Sequence, residues 1–279
     1  MLLEVLEGPM LRSVCEALSE DIGTGDITAA LIPEIEMATA TVISREAAVL
    51  CGMAWFNAVF AELDTGITVN WLTRDGDTIQ TGQSLCTLHG PAAHILTGER
   101  TALNFLQTLS GTATLARRYA DAVDGLAVKV LDTRKTIPGL RQAQKYAVRV
   151  GGCHNHRMGL FDGILIKENH IVSAGSIERA VHTARETSPG LPVEVEVENE
   201  RQITDALAAG ADILLLDNFT TVALFKAVQM VDGRARLEVS GGVTLENIRD
   251  IAQTGVDYIS VGALTKNLHA IDLSMRFEI

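Results

Sequence analysis

The chain has 279 residues, 47% of them hydrophobic, and carries 23 Lys and Arg against 35 Asp and Glu, a formal net charge of −12. That length suits one large α/β domain or a barrel with an added domain. The acidic balance argues against a nucleic-acid backbone or an anionic membrane as partner, and no apolar run is long enough to span a bilayer.

MLLEVLEGPMLRSVCEALSEDIG at the N-terminus mixes acids with apolar residues and lacks a basic start. It is expected to be an amphipathic helix, not a signal peptide. EDIGTGDITAALIP predicts a turn, and MATATVISREAAVLCGM two strands, the first alternating as a half-buried strand does. MAWFNAVFAEL predicts a helix. ITVNWLTRDGDTIQTGQSLCTLHGPA then predicts short strands broken at Asp-Gly and Thr-Gly. Gly76 to Leu85 resembles half of a biotinyl- or lipoyl-carrier motif, but such carriers need a lysine at a hairpin tip. The first lysine here is Lys129, so a small β-rich packing region is the better reading. HILTGERTALNFLQTLSGTATLARRYADAV predicts two helices broken near Ser110-Gly111, with a domain boundary at the break. By spacing alone, Arg100 reads as a surface cation.

From Leu126 the pattern changes to strands (LAVKVLDT, GILIKEN, PVEVEVEN, ADILLLDN, RLEVSGG, DYISVGA) alternating with helices. Short βα units with no early G-x-G-x-x-G predict a parallel barrel, and six strands instead of eight predict an open one. Between Lys129 and Lys167 there are eight Lys/Arg, opposed only by Asp132 and Asp162. An acidic protein that gathers cations in one segment is expected to bind an anion there. Arg141 and Lys145, in the helical LRQAQKYAVR, read as a solvated helix face. Arg134, Lys135, Arg157 and Lys167 stand beside strands or in Gly-rich loops, where functional groups concentrate. Cys153-His154-Asn155-His156 is a weak zinc signal. The four cysteines (Cys15, Cys51, Cys86, Cys153) are scattered without metal-type spacing, which fits a reducing cytoplasm.

Barrel active sites form at the C-terminal ends of the strands. The early ends offer Asp132, Thr133, Arg134, Lys135 and Lys167; the middle ones Glu196 and Asp217. The late ends offer Ser240-Gly241-Gly242 and Val261-Gly262-Ala263, whose exposed backbone N–H groups suit a phosphate. Glu194, Glu196 and Glu198 alternate with valines and share one face, where Lys129 and Lys167 are the expected partners. Glu196 and Asp217 suit Mg²⁺ or sugar hydroxyls.

Four stretches, Asp132-Thr-Arg-Lys-Thr-Ile-Pro-Gly139, Lys145-Tyr-Ala-Val-Arg149, Asn155-His-Arg-Met-Gly159 and Ile166-Lys-Glu-Asn-His170, together resemble the quinolinate phosphoribosyltransferase family. The likeness extends to Glu20–Asp26, Gly98–Asn104, Leu216–Asn218 and Ser240–Gly242 and covers nearly the whole chain. Cys153 departs from it, standing where many relatives have glycine or alanine.

The resemblance implies an incomplete α/β barrel over 111–269 with an N-terminal α/β sandwich domain over 1–110, to which a strand within 270–279 returns. It implies transfer of phosphoribosyl from phosphoribosyl pyrophosphate to quinolinate with decarboxylation, in de novo NAD biosynthesis. It further implies Mg²⁺ and a homodimer with shared sites, a hexamer being the alternative assembly. Carried over by motif, Arg134, His156, Arg157 and Lys167 would hold the two carboxylates of quinolinate, Thr133 would be a further substrate-binding position, and Arg100 would reach in from the other subunit. Lys135 would lie between quinolinate and the pyrophosphate, while Glu196 and Asp217 would hold the ribose and Mg²⁺. Ser240, Gly241, Gly242, Val261, Gly262 and Ala263 would bind the 5-phosphate. Nicotinate phosphoribosyltransferase, a molybdenum-transport paralogue and a non-catalytic phosphosugar-binding protein are the rivals.

Overall fold

In the computed structural model, residues 2–33 and 35–278 are described, with side chains from Glu7 onward. The chain divides into two compact units. The first comprises 1–117, 136–152 and 264–279, and the second 118–135 and 153–263.

The first unit is built on an antiparallel sheet. β1 (Met37–Ser44) pairs on one side with β5 (Ser84–Pro91) and on the other with β12 (Leu273–Glu278), and β3 (Thr68–Trp71) flanks β5. The strict alternation of ATATVIS buries Ala38, Ala40, Val42 and Ser44 on one face. β2 (Ala48–Val49) and β4 (Thr78–Ile79) form a separate two-stranded pair. Around them lie α1 (Leu2–Ile22), α2 (Met53–Leu63), the first part of α3 (Ala92–Ala122) and α4 (Arg141–Val150). The core contains Trp55, Phe56, Phe60, Leu88, Leu103 and Leu109, all at most 1% exposed. Phe56 meets Phe60 and Trp71 edge-on.

Two expectations fail in this unit. α3 is unbroken through Ser110-Gly111. A Cβ at Gly111 would collide with the His269 carbonyl oxygen, so this glycine permits close backbone approach where a helix break was expected. Ser110 also stays helical, donating its hydroxyl to the Cys51 carbonyl while accepting the Cys51 N–H. Lys145 is wholly buried rather than solvated, because α4 turns Ala143, Gln144, Lys145, Ala147 and Val148 inward. The basic spacing looked amphipathic, but the apolar side of the helix includes the lysine stem.

The second unit is a six-stranded parallel sheet in the order β6 (Lys129–Leu131), β11 (Tyr258–Ser260), β10 (Arg236–Ser240), β9 (Ile213–Asp217), β8 (Val193–Val197), β7 (Ile164–Ile166). An isolated parallel bridge, Leu131 to His154, adds a position on the free side of β6. The predicted strand count and the incomplete α/β barrel are thus realised. α6 (Ile177–Thr187), α7 (Glu200–Ala208) and α8 (Thr221–Val231) each begin at a cap read by a backbone N–H: Ser176, Asn199 and Thr220. In β8, Val193, Val195 and Val197 are fully buried on one face, and the parity sends Glu194 and Glu196 to the other. No helix among the described residues is long and apolar enough to cross a membrane.

Candidate active site

A cavity of about 330 Å³ opens where the parallel strands of the second unit end. Thr133, Arg134, Lys135, His156, Arg157, Lys167, Glu196, Glu238, Ser240 and Ser260 line it. The fold therefore gathers eight of the residues singled out by sequence, contributed by five separate strand ends and loops.

Lys167 closes β7 and precedes α5 (Glu168–Ala174). Its backbone N–H donates to His170 Nδ1 at 3.0 Å, so the Lys-Glu-Asn-His run positions the lysine by capping its own helix. The Lys167 ammonium reaches Glu196 Oε2 at 2.6 Å, as the shared face predicted. Glu194 takes a different partner from the expected lysine: His156 Nε2 lies 3.1 Å from its Oε2.

Arg157 is half-buried, and its Nη1 donates to the Gly163 carbonyl at 3.0 Å. Burial, followed by the nearby Arg134, pushes its guanidinium pKa down. Two guanidinium groups held close enough to oppose each other's charge form a site that an anion would relax.

Asp217 ends β9, in register with Ser240 at the end of β10. Burial, then the charge of Glu196, raises its carboxyl above the usual range, against the pull of Lys167 and Lys135. Asn218 donates to Asp217 Oδ2 at 2.8 Å from a left-handed backbone, φ 57°. A Cβ on Gly241 would overlap the Asn218 amide, so only glycine fits there. At Gly262, a Cβ would sit 3.0 Å from Lys135 Cδ and 3.6 Å from Thr133 Oγ1. That glycine brings the first cationic loop against the last strand end. Val261 uses its N–H on the Leu131 carbonyl at 2.9 Å, and Ala263 opens the short α10 (Ala263–Lys266). Gly242, φ 60°, has open space where a side chain would be. Arg100 is exposed on α3 in the other unit.

Sequence reading placed Asp132 at a strand end without its anchoring role and missed two residues of the cavity wall. Asp132, fully buried, accepts the His156 backbone N–H at 2.9 Å and the Asn155 side-chain amide at 2.5 Å, which anchors the Asn-His-Arg triplet. Glu238 and Ser260 line the cavity from β10 and β11. The usable signal was parity: Glu238 is two residues before Ser240, so both face the same side of the strand.

Two family models match the chain: the C-terminal domain of quinolinate phosphoribosyl transferase over residues 112–276 and its N-terminal domain over 26–110. A nicotinate-nucleotide pyrophosphorylase (carboxylating) from Mycobacterium leprae is 43% identical, over 94% of this chain and 95% of that one. A probable enzyme of the same name from Bacillus subtilis is 42% identical, over 92% and 89%. The solved nicotinate-nucleotide pyrophosphorylase of Francisella tularensis superposes with a TM-score of 0.94 at 49% identity, covering 97% of this chain and 96% of that one.

Proposed function

The chain belongs to the quinolinate phosphoribosyltransferase family, and from that premise we propose that the strand-end cavity of the second unit is where quinolinate and phosphoribosyl pyrophosphate react. The enzyme transfers phosphoribosyl to quinolinate with decarboxylation, giving nicotinate mononucleotide, CO₂ and pyrophosphate in de novo NAD biosynthesis. The observation supporting the placement is that Arg134, Lys135, Arg157 and Lys167 converge on one cavity that also holds Glu196 and Ser240. Four cations suit a dicarboxylate beside a pyrophosphate, whereas a one-carboxylate pyridine would leave cations unpaired.

The chemistry follows from these positions. Arg134, Arg157 and Lys167 hold the two carboxylates and so aim the ring nitrogen at C1 of the ribose. Pyrophosphate departs as positive charge builds on the sugar, and Lys135 stabilises the leaving group. The nitrogen, now bonded to C1, is cationic. The C2–carboxylate bond then breaks with its electron pair left on C2 beside N⁺, CO₂ leaves, and C2 takes a proton. Ser240, Gly241, Gly242, Val261, Gly262 and Ala263 seat the 5-phosphate at the last two loops. Glu196 and Asp217 suit Mg²⁺: they are hard oxygen donors, burial and then the charge of Glu196 raise the Asp217 carboxyl, and Mg²⁺ characteristically uses one or two carboxylates plus substrate phosphates. When bound, the ion would neutralise pyrophosphate charge.

We assign the active form to a homodimer in which Arg100 of one subunit completes the partner's carboxylate clamp. Ile27, Leu31 and Ile35, exposed at 90%, 82% and 89%, support a covered N-terminal surface. The free cysteines support a reducing cytoplasm. Incubation with quinolinate, phosphoribosyl pyrophosphate and Mg²⁺, with nicotinate in parallel, tests the reading by chromatography. Nicotinate mononucleotide from quinolinate alone is expected; product from nicotinate alone would overturn it.

A further inference from the structure

The chain passes between its two units four times, and two of the crossings fall directly after residues assigned to phosphoribosyl pyrophosphate. One lies after Lys135, at the start of the turn over 136–139. The other lies after Ala263, which follows Gly262. Beside the cavity these two loops already touch, since a Cβ at Gly262 would sit 3.0 Å from Lys135 Cδ. A buried side chain of α4 joins them a second time, two residues further along each.

That side chain is Gln144, which is 0% exposed. Its Oε1 accepts the Ile137 N–H at 2.8 Å, and its Nε2 donates to the Thr265 carbonyl at 2.8 Å. The buried Thr112 hydroxyl of α3 lies 3.5 Å from the same Nε2. One primary amide thus takes a donor from one loop and an acceptor from the other. Both partners are backbone groups, so the bonds fix main-chain positions. α4 holds the first loop at another point, where Arg141 Nε donates to Thr136 Oγ1 at 3.2 Å. The second loop continues into a segment pinned on α3, with the Ile271 N–H on the Gln107 carbonyl at 3.1 Å.

We propose that Gln144 is a positioning residue for phosphoribosyl pyrophosphate. By bonding Ile137 and Thr265 at once, it sets the spacing between the Lys135 loop, on the pyrophosphate, and the Gly262-Ala263 loop, on the 5-phosphate. The proposal rests on the reading of those two loops given above. In-line attack at C1 requires both ends of the sugar phosphate to be held at one separation. A glycine-containing loop has little side-chain packing of its own to fix it, and a buried, fully used amide supplies that constraint.

The first test needs no substrate. Hydrogen exchange read by mass spectrometry should quicken in Gln144→Met at residues 133–140 and 261–268 together, with β1 and β5 unchanged. Quickening of one segment alone, of neither, or of the whole chain would overturn the proposal. Kinetics supply the second test. Gln144→Met should raise the KM for phosphoribosyl pyrophosphate by about tenfold and that for quinolinate by less than about twofold. Equal rises, or a fall in kcat alone, would overturn it. The third test uses ribose 5-phosphate, which has the 5-phosphate and lacks the pyrophosphate. It should slow exchange at both segments in the wild type and at 261–268 alone in the variant. Equal protection of 133–140 in both proteins, or in neither, would overturn the coupling. Should Gln144→Met fail to fold, Gln144→Asn, one methylene too short to span both partners, takes its place. Absence of product from the wild type would sink the reading of the loops, and with it the ligand named here, while the substrate-free exchange would still show whether Gln144 ties them.

Discussion

Arg157 combines three constraints in one side chain: partial burial, a neighbouring guanidinium and a bond to the Gly163 carbonyl. If its charge is held for a carboxylate, Arg157→Ala should raise the KM for quinolinate at least about a hundredfold and leave that for phosphoribosyl pyrophosphate nearly unchanged. Equal losses for both substrates in steady-state assays would refute the assignment. Glu238 allows a prediction on stability. Its folded carboxyl titrates near 8 instead of the ordinary 4.5, so between those values the folded state holds a proton that the unfolded state has lost. Stability from this group is fully present below the lower value and falls as pH rises through the upper one. Glu238→Gln removes that loss, and its melting-temperature advantage over wild type should grow between pH 5 and pH 9. A constant difference across the range would contradict it. Arg157 was legible in the sequence because its motif is distinctive. Glu238 was not, because a lone carboxylate in an apolar strand announces burial only when the face it occupies is known.

At the scale of elements, periodicity located nearly every helix and strand and misplaced one junction. Ser110-Gly111 has the composition of a break, yet α3 runs through it. Helix propensity alone makes Gly→Ala in a helix interior stabilising by about 1 kcal/mol. At Gly111 the sign should reverse, because the added methyl meets the His269 carbonyl of a segment packed on the helix. Gly111→Ala should lower the urea midpoint by an amount equivalent to roughly 2 kcal/mol or more. A stabilised variant would show that the segment moves aside. The same limit applies to Lys145: sequence spacing sees a cation, while the packing around α4 decides that its stem is interior.

For the whole molecule, the testable consequence is site sharing. If Arg100 serves the partner's cavity, Arg100→Ala and Arg157→Ala homodimers each lose nearly all activity at quinolinate concentrations near the wild-type KM, for different reasons. Subunit exchange between them creates dimers with one site free of both changes. Mixing the two variants should recover about a quarter of wild-type activity with random reassortment. No recovery, with exchange demonstrated by differential tagging, would confine Arg100 to its own subunit or to a structural role.

The sequence by itself determined the alternation of strands and helices, the open barrel, the anionic character of the ligand and the family, because these depend on local periodicity and on contiguous motifs. Only the tertiary structure decided that Glu194 meets His156 and not a lysine, that Glu238 shares their layer, and that Gly111 is a contact and not a break. Each of those outcomes depends on which side chains from distant strands or helices meet, and that is set by sheet order and register, which no local pattern encodes.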